Sequence, residues 1–292
     1  MGQVPRTLRL GSRTFAPDEL TVMAIVNRTP DSFFDRGATF APDAALAAVQ
    51  RAVTEGADII DIGGVKAGPG EDVDAAEEIR RTVATVAAVR ERFPEIVISI
   101  DTWRAEVAAE AVAAGADLVN DTWAGADPAL ADVAAATGAG LVCSHAGGLR
   151  PRTRPHRVAY DDIVADVVAT VTGLADRALA AGVRPDGILV DPAHDFGKNT
   201  RHSLEITRRL GDLAATGWPV LVALSNKDFI GEVLDAPVNG RLAGTLAATA
   251  VAAWLGARVF RAHQVRETRQ VLDTVAAIRG GREPAVARRA LA

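Results

Sequence analysis

Cysteine occurs once in this chain, at Cys143, which excludes an internal disulfide and any cysteine-rich zinc site. Aromatic residues are only 4% of the total while alanine recurs throughout, a composition that favours many closely packed helices. Positive charge is not in excess: 32 basic against 37 acidic residues give a net charge of −5. A nucleic-acid partner is therefore not expected, because such binding draws most of its affinity from a basic face. The longest apolar run, "LAGTLAATAVAAWLGA" (242–257), is too short and too rich in small residues to span a bilayer, and reads as a buried helix. The N-terminal "MGQVPRTLRLGSRTF" has arginines but lacks the apolar core of a signal peptide. A soluble, cytoplasmic protein without a membrane partner is expected. No linker rich in Pro, Gly or Ser divides the chain. Residues 1–292 are read as one domain, with an N-terminal hairpin segment (1–20) and a C-terminal tail (281–292).

What the chain does contain is a repeated alternation of short apolar strands with amphipathic helices. The strands read "TVMAIVN" (21–27), "ADIIDIGG" (57–64), "IVISID" (96–101), "ADLVND" (116–121), "GLVCSH" (140–145), "GILVDP" (187–192), "PVLVALS" (219–225) and "ARVFRAH" (257–263). Segments with helical spacing lie between them, among them "APDAALAAVQRAVTEG" and "WRAEVAAEAVAAG", and Gly56, Gly115, Gly182 and Gly256 mark helix ends. Near-continuous apolar strands that alternate with helices imply a parallel sheet buried on both faces. Eight such units in 292 residues fit a (β/α)₈ TIM barrel. A doubly wound open sheet is the alternative, but no G-x-G-x-x-G follows the first strand to support it. The segment "TLRLGSRTFA" (7–16) reads as a β-hairpin turning at Gly11-Ser12, placed to close the bottom of the barrel.

In such a barrel the chemistry sits where the C-terminal ends of the strands meet the following loops. Here those ends are polar: Asn27, Asp61, Asp101, Asn120-Asp121, Ser144-His145, Asp191, Ser225 with Lys227, and Arg261 with His263. Each alone has an ordinary reading, since Asp, Asn and Ser after a strand often cap the next helix. Asp101 and Asp121 suit that role, and a lone His145 is more often a packing residue. Capping needs no cations, however, and the last two strands supply Lys227, Arg261 and His263. Carboxylates and Asn suit the donor-rich edge of a heterocycle. The cations suit a phosphate or pyrophosphate, which this architecture often binds after its last strands. Asn27, Asp31 and Asp35 are oxygen ligands suited to Mg²⁺.

These residues, in this order, resemble the dihydropteroate synthase family of pterin-binding barrels. The similarity runs from Thr21 to about Gly280, and its strongest piece is "NRTPDSFFDRGATF" (27–40), similar to the family's N-x-T-P-D-S-F-S-D-G-G loop. Further pieces are "SIDTWRAEVAAEAVAAGADLVND", "DPAHDFGKNT", "SNKDFIG" and "FRAHQV". The resemblance implies the condensation of 6-hydroxymethyl-7,8-dihydropterin pyrophosphate with p-aminobenzoate, with release of pyrophosphate and Mg²⁺ as cofactor. It implies that Asp101, Asn120, Asp191, Phe196 and Lys227 hold the pterin, and that Asn27, Arg261 and His263 bind pyrophosphate, Asn27 also binding the metal. Catalytic roles then fall to Asp35, Lys227, Arg261 and His263. A mobile loop carries Thr29, Asp31, Phe33 and Asp35, joined by Lys66 from the loop after the second strand. A homodimer through the later helices is also implied.

The chain departs from the family where the second substrate would sit. The family's G-G-x-S-T-R-P-G reads "GGVKAGPG" here, with Ala67 for Thr and Gly68 for Arg. Lys66 restores a charge but not a planar fork. Asn226 replaces the Arg of S-R-K, "CSHAGGLRPRTRPHR" (143–157) replaces M-H-x-R-G, His194 and Asp195 replace residues of D-P-G-I-G-F-G-K, and Gln264 replaces an Asp. Losing two charge-assisted hydrogen bonds of ~1.5–3 kcal/mol each would slow the reaction by about 10²–10⁴. Arg150, Arg152 and Arg154 either bind a different anion or form a solvated turn. Three readings follow: a working synthase with unusual loops, a divergent homologue that keeps the pterin site with weak or no synthase activity, and a transferase resembling the folate-binding methyltransferases. The leaving-group residues Arg261 and His263 argue against the third.

Overall fold

The computed structural model describes residues 6–29, 37, 39–153 and 158–289. It begins with an antiparallel hairpin, β1 (Leu8–Leu10) and β2 (Arg13–Phe15), which turns at Gly11-Ser12 as the sequence predicts. Eight parallel strands follow: β3 (Thr21–Asn27), β4 (Ile59–Gly63), β5 (Val97–Asp101), β6 (Leu118–Asp121), β7 (Gly140–Ser144), β8 (Ile188–Asp191), β9 (Leu221–Val222) and β10 (Val259–Ala262). Their order is β8-β7-β6-β5-β4-β3-β10-β9, and a parallel bridge from Val190 to Val220 brings the two ends together into a nearly closed barrel.

The expected strand over 219–225 is regular only at Leu221–Val222. Pro219 has no N–H to give to a ladder, although its carbonyl accepts from Val190 N at 3.0 Å. At the other end Lys227 N donates to Leu224 O and Asn226 turns to a φ of 58°, so the chain leaves the sheet before Ser225.

Helices fill the connections: α1 (Pro42–Thr54), α2 (Ala75–Arg92), α3 (Ala105–Ala113), α4 (Ala129–Thr137), α5 (Ile163–Ala181), α6 (Thr200–Arg208), α7 (Leu210–Ala214), α8 (Asp228–Leu234), α9 (Leu242–Trp254) and α10 (Val265–Ile278). Helices α1, α3, α5 and α9 end at the predicted Gly56, Gly115, Gly182 and Gly256, each at positive φ. No helix among the described residues is long and apolar enough to cross a membrane.

Side chains alternate across each strand, and that alternation builds two cores. Outward residues such as Val22, Ile60, Ile98, Val119 and Val190 pack under the helices. Inward residues Met23, Ile59, Val97, Leu118, Val142, Leu189, Leu221 and Val259, one from each barrel strand, meet Leu8, Leu10 and Phe15 of the hairpin. The hairpin thus seals the N-terminal end of the barrel. Two residues further along the same strands, the inward layer becomes Ile25, Asp61, Ser99, Asn120, Ser144, Asp191, Ala223 and Arg261. An apolar floor therefore lies beneath a polar chamber.

Candidate active site

Above that layer opens a cavity of about 360 Å³, lined by residues from the ends of several strands and the loops that follow them. It brings together Lys66, Asp101, Asn120, Asp191, Phe196, Lys227, Arg261 and His263, all singled out from the sequence. Asn27 stands at the top of β3 in register with Gly63, itself in register with Asp101, and the Asn27 carbonyl accepts from Thr39 Oγ1 at 2.6 Å. Thr29 is buried. Asp31, Phe33, Asp35 and Arg154 lie outside the described residues.

The chamber is organised around Arg261. Its Nε donates to Asp61 Oδ2 at 2.6 Å and its Nη2 to Asp101 Oδ2 at 2.7 Å. Asp61 is fully buried and also accepts from Ser99 Oγ at 2.6 Å and Asn120 Nδ2 at 3.3 Å. Burial by itself would depress the Arg261 pKa, but the two carboxylates hold it above its ordinary value. Asp101 also accepts from Thr122 Oγ1 at 3.0 Å and keeps 24% of its side chain exposed. Burial raises its pKa to about 7, with Arg261 opposing and the Asp61 charge adding to the rise. The capping role open to Asp101 in the sequence passes to Asp127, whose carboxylate accepts from Ala105 N at 2.8 Å. Asp121 does cap its own turn, accepting from Trp123 N at 2.9 Å and Gly125 N at 2.6 Å.

On the opposite wall, Asp191 is 6% exposed and its Oδ1 accepts from Ala193 N at 2.7 Å. Burial lifts its pKa to about 6, against the pull of that hydrogen bond and of Lys227, Lys198 and Arg261. Lys227 Nζ lies 4.4 Å from the Phe196 ring centroid and donates to His194 O at 3.0 Å. Burial lowers the Lys227 pKa, with Asp195 and Asp191 opposing. His263 contacts Ser225 Oγ through Nδ1 at 3.0 Å. Burial and the neighbouring Arg261 and Lys227 lower its pKa to about 3, so without a ligand its imidazole is neutral.

The loop after β8 is held from below by a residue the sequence reading passed over. Lys198, 6% exposed, donates to the carbonyls of His145 (2.9 Å), Ala193 (3.0 Å) and Phe196 (2.7 Å). Burial brings its pKa down to about 7. Gly197 packs so closely that a Cβ there would stand 2.6 Å from Ala146 O, at a φ of +62°. These contacts fix Phe196 on the cavity wall. His145, by contrast, has the outward parity of its strand and pairs with Asp166 of α5 at 2.7 Å. Asp61, Ser99, Thr122 and Lys198 were not assigned roles from sequence. For Asp61 and Ser99 the available signal was a two-residue step from the apolar inward residues Ile59 and Val97; for Thr122 it was the same step from the polar Asn120.

Of the residues that depart from the family pattern, Ala67, Gly68, Asp195 and Asn226 line the main cavity. Ala67 and Gly68 line both the main cavity and an annex of about 130 Å³, whose remaining lining is Trp123, Leu149, Thr153, Asp195, Phe196 and Gly197. Arg150 and Arg152 are not among the lining residues of either space. Asn226 is buried and turned inward, its Nδ2 3.4 Å from Gln264 Oε1, so it does not reach out as an arginine would. Among the described residues no three His, Cys, Asp or Glu side chains are grouped to hold a metal ion.

Residues 23–263 match the model of a family described as pterin-binding enzymes. A Mycobacterium leprae protein named inactive dihydropteroate synthase 2 is 58% identical over 287 residues, covering 97% of this chain and 99% of the relative. The Haemophilus influenzae dihydropteroate synthase is 38% identical over 252 residues, covering 86% and 91%. Among solved structures, the Yersinia pestis dihydropteroate synthase in complex with a sulfonamide drug superimposes with a TM-score of 0.89 at 35% identity, covering 94% of this chain and 100% of the other.

Proposed function

Since the chain belongs to the pterin-binding enzyme family, we propose that this dihydropteroate synthase-like protein keeps the pterin site and has weak or no dihydropteroate synthase activity. The observation that carries this reading is the contrast between the two parts of one cavity. Asp101, Asn120, Asp191, Phe196 and Lys227 converge on a space suited to a flat heterocycle, while the mouth presents Ala67 and Gly68. A relative of 58% identity bears a name that denies it this activity, which supports the same reading.

In this proposal the ionised Asp191 accepts two parallel N–H bonds from the amino-pyrimidine edge. Asn120 donates and accepts, and Lys227 meets a ring carbonyl or nitrogen. Phe196 packs on the heterocycle. Arg261 and His263 face the pyrophosphate, stabilising the charge that develops on it as a leaving group. Asp35 keeps the catalytic role that the resemblance gives it, with Thr29, Asp31 and Phe33 in the same loop. Asn27 offers one amide oxygen, which fits an Mg²⁺ ion held otherwise by phosphate oxygens and water. The neighbouring Asp61 and Asp101 are engaged by Arg261 and are not counted as ligands. The buried free Cys143 suits a reducing compartment such as the cytoplasm.

The test is pyrophosphate release from dihydropterin pyrophosphate and Mg²⁺, with and without p-aminobenzoate, alongside calorimetric titration with the pterin. Pterin binding is expected, with p-aminobenzoate-dependent release slower than a working synthase by about 10²–10⁴. Release at a working synthase's rate would overturn the proposal, as would a failure to bind pterin.

A further inference from the structure

Helix α8 starts from a residue that cannot cap it. Lys227 stands at its N-cap with extended backbone, and a lysine side chain has no oxygen to offer the first amides of the helix. The acceptor comes from another loop. Asp195 Oδ2 accepts from Asp228 N at 2.8 Å and Phe229 N at 3.3 Å, the first two amides of α8. Its Oδ1 accepts from Ser203 Oγ of α6 at 3.0 Å, and its own N–H donates back to that oxygen at 3.2 Å. Ser203 is fully buried, so the clasp is anchored in the helical layer. Asp195 stands at a φ of 69°, at a position where the family motif has glycine. Glycine would permit this backbone without supplying an acceptor, whereas aspartate tolerates it and supplies two.

The neighbouring departure from the motif grips the same turn. The His194 ring stacks on Phe229 with centroids 5.6 Å apart, and its Nε2 contacts Thr207 Oγ1 of α6 at 3.1 Å. The His194 carbonyl accepts from Lys227 Nζ at 3.0 Å. One loop thus holds Lys227 at both ends of a flexible stem, through the helix turn behind it and at its ammonium.

We propose that Asp195 is a positioning residue for pterin binding: it caps α8 from the loop after β8 and so fixes the direction in which Lys227 enters the cavity. This role rests on the pterin-site reading above. The charge of Asp195 has a second effect, because it is one of several that face the Lys227 ammonium. Asp191 of β8 and Asp228 of α8 are further acids, while Arg261 of β10, His194, Lys198 and His263 are the basic groups. Burial lowers the Lys227 pKa, and among the neighbours Asp195 opposes this most. Removing the Asp195 charge therefore lowers it further.

The chain contains three lysines, Lys66, Lys198 and Lys227, so isotope-labelled lysine gives three side-chain signals to titrate by NMR in the full chain without ligand. Asp195→Asn keeps one acceptor oxygen and suits the left-handed backbone. In it the Lys227 midpoint is expected to fall, and by more than that of Lys198, which Asp195 also faces. An unmoved Lys227 midpoint would overturn the proposal. Calorimetry with 6-hydroxymethyl-dihydropterin at neutral pH then reads the placement. Asp195→Gly offers neither oxygen and is expected to bind about tenfold or more weakly, while Asp195→Asn stays within about threefold of the unsubstituted protein. In a Lys227→Met background Asp195→Gly should change affinity by less than about twofold. An equal loss with and without Lys227 would overturn the proposal, because a merely structural residue acts on both alike, and so would undiminished binding by Asp195→Gly. A protein that binds no pterin overturns the functional reading instead, and the lysine titration still decides the role of Asp195.

Discussion

At Asp191 the burial that aims the carboxylate into the cavity also raises its pKa to about 6. The proposed role in pterin binding needs the ionised form, which accepts two N–H bonds. Below pH 6 each proton gained must be lost again on binding. The Asp191 contribution to pterin affinity is therefore expected to be flat from pH 8 to about 7 and to fall by about tenfold per pH unit well below its pKa, while a change centred near pH 7 would belong to Asp101. Titrations from pH 5 to 8 check this, and Asp191→Asn should weaken binding and flatten the profile. Asp61 is a different case. It is fully buried and touches Arg261, Ser99 and Asn120. Asp61→Asn breaks a buried ion pair and is expected to cost about 3–5 kcal/mol in urea unfolding. The residue types at the strand ends were legible in the sequence. Their partners were not: Arg261 and Asp61 are 200 residues apart in the chain.

Among the elements, the hairpin shows how far a local pattern carries. A turn at Gly11-Ser12 was readable from "TLRLGSRTFA", and the alternation put Leu8, Leu10 and Phe15 on one face. All three are fully buried against the inward layer of the barrel. Phe15→Ala is expected to destabilise the protein by about 3–5 kcal/mol in denaturant titration. Pterin affinity should change little, because the hairpin seals the end opposite the cavity. The loop after β4 is likewise held by contacts far along the chain. Arg81 Nη1 donates to Gly64 O at 3.1 Å, and Arg104 Nη2 donates to Val73 O at 2.6 Å while its Nη1 pairs with the buried Glu78. Both of its ends are thus tied to helices. The run 219–225 illustrates the reverse error: apolar β-formers predicted seven residues of strand, and Pro219 with the Asn226 turn left two.

For the whole molecule, exposed apolar side chains gather on the last helices. Val251 (48%) and Trp254 (59%) lie on α9 and Ile278 (68%) on α10, and Arg279 Nη1 binds Ala253 O at 3.2 Å, which brings those helix ends together. This supports the homodimer that the family resemblance implies. Sedimentation is expected to show a dimer, and Trp254→Asp a monomer that still binds pterin; a dimeric variant would place the interface elsewhere. What the sequence by itself determined was the barrel, the hairpin, and the kinds of chemistry at each strand end. These follow from two-residue and 3.6-residue periodicities, which are local and survive in any segment read alone. Tertiary structure decided which of those groups remain available to a ligand. Closing eight strands into a ring places Arg261 between Asp61 and Asp101, lowers the pKa of the nearby His263, turns His145 outward to Asp166, and sets Asp195 across the start of α8. Charge state and pairing depend on burial and on neighbours contributed by distant strands, and neither quantity is written into the order of residues along one strand.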